Sequence, residues 1–275
     1  MSLAVPPETR PAARLPWPAY AKATLACHVG AATAALAMPQ QWPWALAAVA
    51  ANHAVLTGAG LWPRSSWLGP NMTRLPAAAI ARSEIAITID DGPDAEVTPA
   101  VLDVLDAHRA SATFFCIAEA AARHPALCRE IVRRGHTVEN HSDRHSHAFS
   151  LLGPEGMRRD VASAQQRLGD ITGRTPRYFR APAGLRNPFL APVLQRLDLQ
   201  LVSWTRRGFD TLQRQPADVL ARLCKRLAAG DILLLHDGHA ARVEGRALVL
   251  SVLPELLARA AAKGLRPVPL STACA

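Results

Sequence analysis

Between Met1 and Ser83 the chain has a single acidic residue, Glu8, against six basic ones: Arg10, Arg14, Lys22, Arg64, Arg74 and Arg82. That is a net +5 in under a third of a 275-residue chain whose total is +9. The shortage of acid beside apolar sequence points to a membrane surface. Nucleic acid is a poor match, because the sequence has no basic helix, RNA-binding signature or zinc-finger spacing. Cysteine is also sparse: there are five, an odd number, and none forms a C-x-x-C pair. That excludes a disulfide framework and a thiolate zinc site. Cys116, inside "ATFFCI", reads as a small core residue. There is no internal repeat and no low-complexity tract beyond a richness in Ala. A composition 49% hydrophobic and 19% charged excludes disorder. The length suits one large α/β domain with an appendage.

Two apolar stretches occupy residues 1–83, one from about Ala19 to Met38 and the other from about Trp44 to Trp62. Each approaches the ~20 residues that cross a bilayer. Five of the six tryptophans, Trp17, Trp42, Trp44, Trp62 and Trp67, sit at the ends of these stretches, where interfacial aromatic belts form. The expectation is a transmembrane hairpin over about 19–38 and 44–62. A soluble Ala-rich hairpin packed on the main domain fits the same residues. A cleaved signal peptide fits less well, because the apolar run continues past any early cleavage site. Both flanks of the hairpin are basic and its turn is uncharged. The positive-inside rule therefore predicts an inner-membrane, multi-pass protein whose main domain faces the cytoplasm. The unpaired cysteines agree.

From Ser83 onward, short apolar runs alternate with amphipathic segments. The pattern predicts strands near 85–90, 112–117, 136–140, 177–181, 199–204, 232–236 and 266–270. Helices fall near 98–109, 119–134, 154–172, 188–197, 216–229 and 246–263, with a start at Thr98-Pro99 and a stop at Gly135. This alternation implies an α/β fold with a parallel sheet, open or closed into a barrel. The carboxyl ends of such strands build the site. Asp90-Asp91, His141, Arg180 and His236 all lie at or just beyond predicted strand ends.

Two adjacent carboxylates at a strand terminus repel, so a bound cation or a proton-transfer role must hold them there. His141 and His145 are four residues apart. If the chain coils helically there, both imidazoles share one face and can hold a cation; a solvated polar face is the commoner outcome of such a pair. His236 reads as a third ligand, a general acid or a strand-end histidine bonded to backbone. His147 reads as a surface residue and Asp237 and His239 as loop residues, with His239 able to reach the rim of the site. Arg180 is a permanent charge able to orient a carboxylate.

The stretches "TIDDGPD", "HSDRH", "RAPAG", "WTRRGFD" and "LLLH" occur in the order and approximate spacing of the polysaccharide deacetylase family. Over about residues 84–270 the chain resembles that family, the NodB-homology domain or carbohydrate esterase family 4. The resemblance implies a distorted (β/α) barrel that hydrolyses N-acetyl groups of amino sugars with a divalent metal, most simply zinc. It implies that Asp91, His141 and His145 are the metal ligands and Asp90 the base, with Arg180 holding Asp90 and Asp210 tethering Arg180. His236 would be the general acid. Leu234 and Trp204 would line the acetyl pocket, and the Ala183 N–H would hold the oxyanion. The chain departs from the pattern at Ala183, where a Tyr is common, and at Thr211, where an aromatic residue is usual. Both changes reshape the substrate groove. Arg206 and Arg207 add positive charge that would suit a phosphate-bearing substrate. The implied partner is an acetylated amino-sugar glycan; the alternative is a deacetylase or deformylase acting on a membrane-lipid-linked sugar. A non-catalytic glycan-binding relic would need the loss of a ligand, the base or the acid, and all are present.

Overall fold

The computed structural model describes residues 18–275, so the tryptophan and the arginines expected to flank the hairpin at Trp17, Arg10 and Arg14 lie outside the described residues. The chain divides into two compact units, residues 1–54 and 55–275.

In the first unit, helix α1 (Ala19–Ala37) and the larger part of α2 (Trp42–Leu61) form the expected hairpin around a short turn at Pro39–Gln41. Polar side chains meet across it. Thr24 Oγ1 donates to Asn52 Oδ1 at 3.3 Å, and the Nε2 atoms of His28 and His53 are 3.3 Å apart. Among the described residues, Pro39–Leu61 is the segment long and apolar enough to cross a membrane, by length and composition alone. Leu36, Trp42, Trp44 and Leu46 are each more than half exposed.

The second unit is built on a parallel sheet. Its strands are β1 (Glu84–Asp90), β2 (Thr113–Cys116), β3 (Thr137–Asn140), β4 (Tyr178–Phe179), β5 (Gln200–Leu201), β6 (Arg206–Arg207) and β7 (Ile232–His236). β8 (Arg242–Val243) and β9 (Arg246–Ala247) form a separate antiparallel pair, and β10 (Arg266–Pro267) extends the main sheet. The spatial order is β5-β4-β3-β2-β1-β7-β6, with β10 beside the start of β1. The edge strands β5 and β6 do not pair with each other, so the barrel is curled but open. The helices are α3 (Ala77–Ala81), α4 (Val97–Ala107), α5 (Ala118–Arg123), α6 (Pro125–Arg133), α7 (Pro154–Thr172), α8 (Leu190–Arg196), α9 (Pro216–Cys224), α10 (Val249–Ala262) and α11 (Leu270–Ala273).

Strand alternation separates core from site. Ile85, Ile87 and Ile89 of β1 and Leu233 and Leu235 of β7 pack with Leu102, Leu105, Leu223, Val252 and Leu256 of the covering helices. Burial of each such side chain stabilises by roughly 1.5–3 kcal/mol. The period of two turns Thr88, Asp90, Leu234 and His236 to the opposite face. Parallel register then aligns the carboxyl ends, with Asp90 opposite both Phe115 and His236, and Cys116 opposite Asn140.

Several sequence expectations change. The helix expected over 119–134 is two helices, broken at His124-Pro125, because a residue before proline is driven out of the helical region. The strands expected over 177–181, 199–204 and 266–270 each contract to two residues. β6 and the β8–β9 pair lack a sequence signal, as two-residue strands are too short to show periodicity. The domain boundary expected at 83/84 also moves. Leu68, Leu75 and Ala79 are buried, and Leu75 and Ala79 join a core with Ala86 and Phe115. The Met72 N–H donates to Leu201 O at 2.9 Å. Two of the flanking cations are engaged in this unit, Arg74 with Asp231 at 3.2 Å and Arg82 with Glu84 at 2.8 Å.

Candidate active site

Asp90 ends β1 and is 2% exposed. The Arg180 guanidinium, itself buried, donates from one terminal nitrogen to Asp90 Oδ1 at 2.6 Å and to Thr88 Oγ1 at 2.7 Å. Its remaining nitrogens donate to the carbonyls of Val202 and Ser203 at 3.2 and 3.0 Å, and its carbon lies 4.1 Å from the centre of the Phe115 ring. Burial lowers the Arg180 pKa, and the Asp90 charge opposes that shift. The guanidinium is therefore fixed by strands β1, β4 and the segment after β5, and it fixes Asp90 in turn.

Asp91 has left-handed backbone (φ 76). The Nε2 atoms of His141 and His145 stand 3.1 and 3.2 Å from Asp91 Oδ1. Neither is aligned to donate, and this buried oxygen has no hydrogen-bond partner. Burial pushes the Asp91 pKa up, but the imidazoles of His141 and His239 outweigh it and hold the carboxyl well below its ordinary range. His145 is pushed down to about 4, first by burial and then by the charge of His141, so its imidazole is neutral and able to ligate near neutrality. His141 Nδ1 sits 2.8 Å from the Arg180 carbonyl oxygen, an outer contact that orients a ligand imidazole.

The expected helical turn between His141 and His145 does not form. Residues 141–145 follow an irregular loop with left-handed backbone at Ser142 (φ 69) and His145 (φ 51). Asn140 Oδ1 receives the Ser142 N–H at 2.9 Å, and Ser142 Oγ receives the His145 N–H at 3.0 Å. These side-chain caps still bring the two rings to 4.9 Å. His147 is exposed, as expected.

The role expected for Asp210 is corrected. Its carboxylate does not meet Arg180. Asp210 Oδ1 faces His236 Nδ1 at 2.9 Å, and Oδ2 accepts the His236 backbone N–H at 2.7 Å. β6 and β7 are paired neighbours, so Asp210, three residues past the end of β6, reaches the end of β7. Burial opposes the His236 imidazolium, but the charge and hydrogen bond of Asp210 outweigh it and raise the His236 pKa. Leu234 and Trp204 are buried, at 1% and 7% exposed, while Ala183 is exposed in a tight turn with left-handed backbone (φ 55). Arg206 and Arg207 are not a free solvated pair: Arg206 binds Asp231 at 2.5 Å, and Arg207 lies over the rings of Trp204 and Phe209.

Two residues here, Thr88 and Asp237, escaped the sequence reading, and His239 reaches further into the site than the rim. Thr88 braces Arg180. Asp237 is buried, accepts the Thr98 hydroxyl at 2.5 Å, and is pushed up to about 7 by burial. A Cβ on Gly92 would stand 2.4 Å from its carboxylate oxygens, so Asp237 packs directly under the Asp91-Gly92 turn. His239 Nδ1 lies 3.3 Å from Asp91 Oδ2, and one donor atom each from Asp91, His145 and His239 lie within 4.8 Å of one another. The run "HDGH" was the available signal for His239.

At the strand ends, one fixed carboxylate, a second carboxylate ringed by imidazoles and a carboxylate-tethered histidine are thus brought together. The profile of the polysaccharide deacetylase family matches residues 79–202. A chitooligosaccharide deacetylase of Azorhizobium caulinodans is 34% identical over 200 residues, 68% of this chain and 94% of that protein. A peptidoglycan-N-acetylglucosamine deacetylase of Bacillus cereus is 34% identical over 174 residues, 62% of this chain and 81% of that protein. Among solved structures, a family 4 carbohydrate esterase pseudoenzyme from Bacillus anthracis aligns with a TM-score of 0.66 at 19% identity, covering 76% of this chain and 71% of that one. The chain belongs to the polysaccharide deacetylase family. The pseudoenzyme shares the fold alone, so activity must be argued from the site.

Proposed function

We propose that the chain is a metal-dependent N-deacetylase acting on N-acetylglucosamine units of a glycan. The observation that carries this reading is the division of labour at Asp90-Asp91: one carboxylate is locked to Arg180, and the next is offered to imidazoles with a buried oxygen that no hydrogen bond satisfies. The names of the two relatives support the substrate class. The imidazole and carboxylate donors of Asp91, His141 and His145 suit a borderline divalent cation such as zinc. When bound, such a cation acidifies water and polarises a carbonyl.

The chain's own groups then have distinct tasks. Asp90, oriented by Arg180, takes a proton from the water that attacks the acetamide carbon. The Ala183 N–H donates to the carbonyl oxygen as it gains charge, a contact typically worth about 3 kcal/mol. His236 donates Nδ1–H to Asp210, which leaves Nε2 to protonate the departing amine as the C–N bond breaks. Leu234 and Trp204 enclose the acetyl methyl. Products are acetate and a free amino sugar. The test is acetate and formate release from a panel of acylated amino sugars by zinc-loaded and metal-stripped protein. Metal-dependent acetate release supports the reading. A zinc-loaded protein that cleaves none of the panel would sink it in favour of a glycan-binding relic.

A second reading concerns place. We infer that α1 and α2 anchor the chain in the inner membrane with the deacetylase unit on the cytoplasmic side, acting on a lipid-linked sugar. The apolar run Pro39–Leu61 and the exposed Trp42, Trp44, Trp62 and Trp67 favour a membrane. The uncharged turn between basic flanks favours the orientation. Impermeant thiol labelling of intact cells, with a cysteine introduced on the surface of the deacetylase unit, decides it: labelling would overturn this topology.

A further inference from the structure

His239 has no task in the hydrolysis proposed above, yet it is held against the centre of the site. Its side chain is 67% exposed and would be satisfied by water. Instead Nδ1 faces Asp91 Oδ2 at 3.3 Å, and its ring centre lies 5.8 Å from that of His145. The two Asp91 oxygens are thus divided, Oδ1 toward His141 and His145 and Oδ2 toward His239. The common separation of 4.8 Å or less among Asp91, His145 and His239 donor atoms is close to what one cation needs. Tetrahedral donors about 2.1 Å from zinc stand roughly 3.4 Å apart.

The loop that carries His239 is built for this approach. Asp237 anchors it from below through Thr98. At Gly238 the backbone presses on the Asp91 turn, and a Cβ there would be 2.3 Å from the Asp91 carbonyl oxygen. Only glycine admits that path. His239 follows immediately, with left-handed backbone (φ 52) and its ring facing Asp91. An anchored carboxylate, a glycine at a close approach and a strained histidine in sequence are more than a passing surface contact requires.

We propose that His239 is a further protein ligand of the divalent cation, joining Asp91, His141 and His145. This rests on the reading that the site holds a metal. His141 is buried and pinned through Nδ1, whereas His239 is exposed on a loop. His239 is therefore the donor able to swing aside when substrate enters, and it retains the cation in the absence of substrate.

The test is metal binding by the full chain, stripped and titrated with Zn²⁺ against a chromophoric chelator, and with Co²⁺ by absorption. His239→Ala is expected to lower Zn²⁺ affinity by at least about 10-fold, the least expected when even an outer partner of a ligand is lost. His147→Ala should leave it unchanged. His239→Cys should recover affinity and add a thiolate-to-cobalt charge-transfer band absent from the parent protein. Unchanged affinity in His239→Ala overturns the proposal. So does lowered affinity with no new band in His239→Cys, which would reduce His239 to a hydrogen-bond partner of Asp91. Failure of the parent protein to bind metal would instead overturn the reading of the site itself.

Discussion

Asp90 and Asp91 stand side by side with different partners, Arg180 at 2.6 Å for the first and three imidazoles within 3.3 Å for the second. Their substitution should therefore separate. Asp90→Asn is expected to keep the metal while turnover falls about 10²–10⁴-fold, the range of a general base. Asp91→Ala and His141→Ala should empty the site. Metal analysis of the purified variants checks the split, and an Asp90→Asn protein as metal-free as His141→Ala would reverse the roles. Asp210 supplies a pH signature. Its carboxylate raises the His236 pKa against burial, so the acid form persists to higher pH. In Asp210→Asn that support is gone, and His236 loses its proton at lower pH. The alkaline limb of the pH–rate profile should then move toward acid. An unmoved alkaline limb would show that His236 is not the acid. The pairing of Asp210 with His236 was not legible in the sequence, because the chain separation of 26 residues says nothing about which strands are neighbours.

At the scale of elements, helices with clear periodicity were read well, α7 to the residue, because each buries a stripe that recurs at i, i+3 and i+4. Two-residue strands carry no period, and loops carry none at all. The site is made chiefly of such loops. Asp91, Ser142, His145, Ala183 and His239 all have positive φ, each at a cost of roughly 1–3 kcal/mol that the surrounding packing offsets. Core and loop can be perturbed separately. Leu102→Ala on α4, fully buried against the sheet, should cost about 2–5 kcal/mol in denaturant unfolding with metal affinity retained. Gly238→Ala should differ by losing metal affinity, because its Cβ would meet the Asp91 backbone at 2.3 Å and must push the loop and the Asp91 turn apart, at a cost in stability as well. Equal metal affinity in Gly238→Ala and parent would mean that the loop relaxes without moving His239 or Asp91.

For the whole molecule, the boundary at Val55 has a direct consequence. A chain of residues 55–275 should fold and release acetate from a soluble glycan. A chain beginning at Ser83 should not, because it lacks Leu68, Leu75 and Ala79 from the core and the Met72 bridge to Val202. Circular dichroism and acetate release on the two truncations check this. Full activity of the shorter one would restore the boundary expected from composition. That expectation failed because residues 63–83 share the low acidity of the hairpin while packing with the sheet, and charge content does not report packing.

The chemistry of this protein was determined by local sequence: adjacent carboxylates at the end of a buried strand, a histidine pair, an arginine and a strand-end histidine, each at or just beyond the carboxyl end of a strand. Hydrophobic alternation sufficed for this, since it sets which residues face the core and where a strand stops. Only the tertiary structure decided who meets whom. Strand order put Asp210 on His236, a glycine pressed against Asp91 brought His239 into the cluster, and the sheet drew residues 63–83 into its own unit. Asp210 and His236 are 26 positions apart along the chain and Asp91 and His239 are 148 apart, and contacts at such separation leave no periodic trace in the sequence.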